Sequence, residues 1–211
     1  MKNTAITQNK ISQQEMTPDK ALQLLKEGNQ RFREQNFLKR DYSVQIQKTI
    51  SGQYPFAAVV SCIDSRIPTE IIFDQGIGDI FNARVAGNFV NEDILGSLEF
   101  SCKLAGSKLI VVMGHTSCGA IKGACDNVRL GNLTQMLYKI KPAVEMVNTE
   151  ADEDRSSKNL SFVNRVAEVN VDLTIENIKS RSVVLNEMMI HNEIDIVGAM
   201  YNVGTGSVNF L

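Results

Sequence analysis

Lys108-Leu-Ile-Val-Val-Met-Gly114, running directly into His115-Thr-Ser-Cys118, is the stretch on which the fold turns. Leu109–Met113 is apolar without alternation, the pattern of a strand buried on both faces in a parallel sheet. Upstream, Pro55-Phe-Ala-Ala-Val-Val-Ser-Cys62 repeats it, an apolar run ending in small and polar residues. Asp79–Ala83, after a turn at Gly76 and Gly78, reads as a weaker strand, and Ile194–Met200 as another. The tail Gly204–Leu211 reads as a turn followed by a short edge strand.

Helical spacing fills the intervals. Thr17-Pro18 pairs an N-cap residue with proline at the first helical position, and Ala21, Leu24, Leu25 and Phe32 carry an amphipathic helix to about Gln35. Asn91–Leu104 places Ile94, Leu95, Leu98 and Leu104 at roughly helical spacing. Leu133–Asn148 and Ser161–His191 read as mainly helical, separated by the polar Thr149–Asn159. Strands interleaved with helices predict an α/β fold: one domain, a central mostly parallel β-sheet of about five strands flanked by helices, and an N-terminal helical arm. Residues 1–15 are polar and read as a disordered segment or an arm ahead of a domain spanning residues 16–211.

The chain has 211 residues and 23.4 kDa, enough for one sizeable core. Lys and Arg number 22 against 24 Asp and Glu, so no basic excess points to nucleic acid or an anionic membrane. No apolar run approaches the roughly 20 residues of a membrane-spanning helix, and positions 1–14 lack a signal-peptide core. These features predict a soluble, cytoplasmic protein. Four cysteines are too sparse for a disulfide scaffold, and cysteine near histidine in a reducing compartment directs attention to metal binding or catalysis.

In open parallel sheets chemistry collects beyond the carboxyl ends of the strands. Here those ends carry Cys62-Ile-Asp64-Ser-Arg66 and His115-Thr-Ser-Cys118. Two thiolates and an imidazole are donors that zinc favours, and three protein ligands leave a fourth tetrahedral position open. Cys102 and Cys125 fall within expected helices, so Cys62, His115 and Cys118 form the better ligand set. The competing reading makes Cys62 and Cys118 small buried hydrophobes. Asp64 and Arg66 lie two and four residues beyond Cys62. An aspartate beside an arginine stays ionised and accepts hydrogen bonds, although such a couple also suits a plain surface ion pair.

Cys62-Ile-Asp64-Ser-Arg66, Arg84-Val-Ala-Gly-Asn88 and Gly114-His115-Thr-Ser-Cys118-Gly119 together resemble a β-class carbonic anhydrase in order and spacing, with similarity from about Thr17 to Leu211. The resemblance implies a zinc lyase that interconverts carbon dioxide and bicarbonate through attack of zinc-bound hydroxide. Cys62, His115 and Cys118 would bind Zn²⁺. Asp64 and Arg66 would form the catalytic dyad, with Asp64 accepting the hydroxide proton. Gln53 matches a glutamine that hydrogen-bonds substrate, and the Gly119 N–H would be a second donor. Phe81 matches an aromatic of the apolar substrate pocket, often supplied by the partner subunit. Gln53 as a loop amide and Phe81 as a core residue are the simpler alternatives. The resemblance also implies a homodimer, or a larger homo-oligomer built from dimers, with the Thr17–Gln35 helix reaching over its neighbour. Two other functions stay open: hydrolysis of a related linear substrate such as carbon disulfide or carbonyl sulfide, and a non-catalytic zinc- or redox-responsive binding protein. The Asp64–Arg66 dyad argues against the latter.

One branch of that family closes its site when bicarbonate occupies a pocket of tryptophan, arginine and tyrosine. The tryptophan position here is Val59, which predicts the open arrangement, with Asp64 paired to Arg66. Arg84 without companions is a weak anion trap, free to pair with a carboxylate. His191 reads as a helix-end residue and Cys102 and Cys125 as core thiols. Asp74-Gln-Gly76-Ile-Gly78 lacks the full glycine pattern of a nucleotide loop.

Overall fold

Five strands form one sheet: β1 (Ala57–Ser61), β2 (Ile80–Arg84), β3 (Leu109–His115), β4 (Asp195–Tyr201) and β5 (Val208–Phe210), in the order β2-β1-β3-β4-β5. The computed structural model describes residues 7–211, so positions 1–6 of the segment expected to be polar and unstructured lie outside the described residues. β1 to β4 are mutually parallel, and β5 runs antiparallel along β4 as the expected edge strand. Every residue of β1 and β3 is buried, because helices cover both faces of a parallel sheet. Ser61 stands level with Met113, so Cys62 and His115 emerge at the same end of adjacent strands.

The helices are α1 (Lys10–Gln14), α2 (Pro18–Arg33), α3 (Tyr42–Thr49), α4 (Thr69–Ile72), α5 (Glu92–Glu99), α6 (Gly119–Cys125), α7 (Gly131–Tyr138), α8 (Lys141–Met146), α9 (Leu160–Arg181) and α10 (Val183–Ile190). Thr17 and Pro18 start α2 as expected: the Thr17 hydroxyl accepts from the Lys20 amide, Asp19 lies in the first turn, and Arg31 and Arg33 lie in the last. Asn9 and Ser12 form a reciprocal capping box on α1, so the polar arm is helical there. The Asn91–Leu104 helix divides into α5 and a π-helical turn at Phe100–Leu104. Leu133–Asn148 becomes two helices, α8 restarting with Pro142 in its first turn. Ser161–His191 breaks at Ser182, whose extended backbone ends α9 and whose hydroxyl caps α10 by accepting from Leu185.

Helix α9 lies across β3 and β4 and buries Phe162, Val163, Val166, Ala167, Val171 and Ile178. Each buried Phe, Val or Ile among them contributes roughly 1.5–3 kcal/mol of transfer free energy. The N-terminal arm packs on its own chain: α2 buries Ala21, Leu25, Gly28 and Asn29, and Asn29 donates to the carbonyls of Ile72 and Gly206. The glycine-containing turn after α4 holds buried Asp74, which accepts from Arg31 and Arg40 and ties the chain after α2 to the sheet. No helix of the described residues is long and apolar enough to cross a membrane.

Candidate metal centre

The register of β1 against β3 delivers Cys62 and His115 side by side, and Cys118 follows three residues on, where β3 turns into α6. Ser117 takes a left-handed conformation (φ 57°) in that turn, and its N–H donates to Asn164 Oδ1 of α9 at 3.0 Å. The sulfurs of Cys62 and Cys118 are 3.9 Å apart. The ligand atoms of Cys62, His115 and Cys118 all lie within 4.8 Å of one another, and this is the one such group of metal-binding side chains among the described residues. All three residues are buried.

The imidazole of His115 provides the fit test for a metal. Its Nδ1 stands 3.0 Å from the Thr116 carbonyl oxygen, which can only accept a hydrogen bond and so places hydrogen on Nδ1. Nε2 then bears a lone pair. It is buried and has no hydrogen-bond partner, and Asp64 Oδ2 at 3.9 Å is too distant to provide one. An unpaired acceptor facing two sulfurs would be costly unless a cation fills the gap. Two sulfurs, one imidazole and an apolar surround fit Zn²⁺, with only three protein donors present.

The thiols are not equivalent. The shared Cys118 hydrogen bond favours the Cys62 thiolate, as does the Gly87 N–H, which donates to the sulfur at 3.3 Å. Cys118 is pushed the other way, first by the Cys62 sulfur and then by burial. One proton leaves this pair readily, while the second requires a cation to replace it. The other cysteines, Cys102 and Cys125, are each pushed up to about 11 by burial, as core thiols are.

Asp64 is gripped by Arg66 through Nε to Oδ1 at 2.9 Å and Nη2 to Oδ2 at 2.7 Å, and the Arg66 N–H also donates to Oδ1. This bidentate pair holds the Asp64 carboxyl well below the usual carboxylate range, against an opposing contribution from burial. Arg84 does not pair with a carboxylate. Its Nε donates to the Cys62 carbonyl at 2.9 Å and its Nη2 to the Asp64 carbonyl at 2.7 Å, which fixes the loop carrying both residues. Val59 is fully buried in β1.

A cavity of about 320 Å³ opens beside the cluster, lined by Cys62, Asp64, Gly119, Ala86 and, from α7, Leu133 and Met136. Gly119, expected to offer its N–H to substrate, starts α6 and lines this cavity. Sequence reasoning placed Leu133 and Met136 in a helix without saying what they meet, and gave Ala86 no role of its own. Two expected site residues stand elsewhere. Phe81 is level with Ala58 on β2 and packs edge-on against Phe100, lining a different cavity of about 490 Å³. Gln53 is exposed ahead of β1, nine residues and roughly 30 Å of extended chain before Cys62. Neither meets this chain's own Cys62, His115 and Cys118.

Residues 57–208 match the family described as carbonic anhydrase. The chain is 33% identical over 195 residues to carbonic anhydrase 2 of Mycobacterium tuberculosis H37Rv, covering 90% of each protein. It is 32% identical over 192 residues to the carbonic anhydrase of Mycolicibacterium smegmatis, covering 90% of this chain and 92% of that one. Among solved structures, the β-carbonic anhydrase CafA of Aspergillus fumigatus superposes with a TM-score of 0.69 at 25% identity, covering 92% of this chain and 89% of the other. The Coccomyxa β-carbonic anhydrase in complex with acetazolamide shares the fold, with a TM-score of 0.70 at 22% identity over 80% of this chain and 77% of that one.

Proposed function

The chain belongs to the β-class carbonic anhydrases, and from that membership we propose how its own residues carry out the family's reaction, the reversible hydration of carbon dioxide to bicarbonate and a proton. Cys62, His115 through Nε2, and Cys118 hold Zn²⁺. The observation that carries this assignment is the buried, unpartnered His115 Nε2 facing two sulfurs. Zinc, when bound, supplies a Lewis acid that makes water at its open position acidic, towards a pKa of about 7 in the best-known hydrolytic sites.

The chain's own groups do the rest. Thr116 fixes the His115 tautomer, and Arg84 fixes the loop on which Cys62 and Asp64 ride. Asp64, kept ionised by Arg66, offers an acceptor oxygen towards the centre and orients the reacting water so that its lone pair faces the substrate. Carbon dioxide is small, linear and without net dipole, so the apolar wall of Ala86, Leu133 and Met136 admits it while giving water few partners. The Gly119 N–H, at the first position of α6 where no helical carbonyl can accept it, donates to a substrate oxygen.

Gln53 and Phe81 act across a subunit boundary. Their distance from this chain's own cluster supports that reading, as do the exposed apolar side chains Tyr42, Ile46, Ile50, Ile63, Ile71 and Phe100. The working unit is then a homodimer, or an assembly built from dimers, and four free thiols suit a reducing cytoplasm. Stopped-flow hydration assays on zinc-loaded wild type and Cys62→Ser test the assignment. Activity that tracks zinc in the wild type and vanishes with it in Cys62→Ser supports it, whereas full activity and full zinc in Cys62→Ser would remove Cys62 from the centre.

A further inference from the structure

Helix α9 contributes Asn170, one of the few polar side chains buried in its sheet-facing surface. Asn170 Nδ2 donates to the Gly87 carbonyl at 2.8 Å, across 83 residues of sequence. The Gly87 N–H in turn donates to the Cys62 sulfur at 3.3 Å. We propose that Asn170 is a positioning residue for the metal-binding Cys62 thiolate, acting through the backbone of Gly87. The proposal rests on the reading of Cys62 as a metal ligand and goes beyond it in assigning a role to a side chain that touches neither metal nor substrate.

The turn explains why such a clamp is needed. Gly87 and Asn88 are both left-handed, at φ 83° and 43°, a pair of conformations that an unsupported chain rarely holds together. A side chain at position 87 would be strained at its φ of 83° and would have to push Ile140 Cδ1 aside from 2.4 Å. Stiffness is instead imposed from outside. The Val85 N–H donates to the Ser61 carbonyl on one side of the turn, and Asn170 holds the Gly87 carbonyl on the other. Gly87 is thereby held at both ends, its carbonyl by Asn170 and its N–H on the Cys62 sulfur, in two peptide planes joined at its Cα.

An N–H donor to a thiolate draws negative charge from the sulfur and fixes its lone-pair direction. Loss of the clamp should leave Cys62 richer in charge and less well placed. A role confined to satisfying one buried carbonyl would lower stability without altering the sulfur's electronic state, so the two roles have different signatures.

The experiment substitutes cobalt(II) for zinc and records the thiolate-to-metal charge-transfer band in wild type, Asn170→Ala and Asn170→Leu, together with zinc affinity by chelator competition. Asn170→Leu keeps the branched shape of the side chain while removing the donor, and it carries the test if Asn170→Ala does not fold. Thr174→Val, a buried polar change one turn along the same helix, controls for general loosening. The proposal expects the band to move to longer wavelength and zinc affinity to fall about 10- to 100-fold in the Asn170 variants, with both unchanged in Thr174→Val. An unmoved band in folded Asn170 variants, or an equal shift in Thr174→Val, overturns it. Cys62→Ser separates the underlying reading: an undiminished band there would show that Cys62 is no ligand, and the proposal would fall with that assignment.

Discussion

Arg66 holds Asp64 by two parallel hydrogen bonds of 2.9 and 2.7 Å, and in that grip Asp64 Oδ2 stands 3.9 Å from the bare Nε2 of His115. The pair thus fixes an ionised carboxylate at the edge of the metal-binding cluster without making it a fourth protein donor.

That relationship predicts a separation of binding from turnover. Asp64→Asn should retain zinc and lose about 10²–10⁴-fold in hydration rate, since an amide is no longer an ionised acceptor. Arg66→Lys should also fall well below wild type, because an ammonium cannot reproduce the planar two-point grip. Metal analysis alongside stopped-flow rates checks both, and wild-type turnover in zinc-replete Asp64→Asn would remove the dyad from the mechanism.

Metal removal should destabilise the fold and expose two unlike classes of thiol. Cys62, favoured as the thiolate, should be alkylated quickly in the chelated protein near pH 8, and Cys118 should follow once alkylation removes the charge on its neighbour. Cys102 and Cys125, buried and held protonated up to about 11, should react only on unfolding. Mass spectrometry of the labelled sites gives the result directly, and zinc should protect the first pair.

Those two core thiols also set an alkaline limit. Each has a folded-state pKa raised from 9.0 to about 11, so the folded protein binds the proton more tightly than the unfolded chain. Their stabilisation is complete below about pH 9 and is lost as pH rises towards about 11, at no more than about 1.4 kcal/mol per pH unit for each group. Urea midpoints across that window should decline more gently in a Cys102→Ala/Cys125→Ala variant than in wild type.

Gly28→Ala should destabilise the protein even though alanine is the better helix former. An added Cβ would lie 1.8 Å from the Phe73 carbonyl oxygen, on which α2 rests. The backbone contact must open, and the cost should exceed the roughly 1 kcal/mol that helix propensity returns. An unchanged or raised thermal midpoint would show that α2 docks differently.

The ligand end of the site was legible because burial on both faces marks β1 and β3, and parallel packing sends Cys62 and His115 out at one end. The N-cap and proline at Thr17-Pro18 likewise announced α2. Helix α3 went unread although Asp41 caps it, because its apolar spacing is too weak to distinguish it from a loop. Partners distant in sequence were the larger omission. Nothing local tells that Asn164 and Asn170 of α9 hold the turns at Ser117 and Gly87, or that Arg84 serves two carbonyls instead of a carboxylate. Gln53 shows the same limit, since its spacing from Cys62 did not tell that it stands exposed ahead of β1, away from this chain's own cluster.

Zinc-edge X-ray absorption on the metal-loaded protein is the most direct test of the central claim that Cys62, His115 and Cys118 build the catalytic centre. The account predicts a first shell with two sulfurs and one imidazole nitrogen, completed by one light exogenous donor, and the loss of one sulfur or of the metal in Cys118→Ser. A shell of oxygen and nitrogen donors alone, or one unchanged in Cys118→Ser, would contradict it.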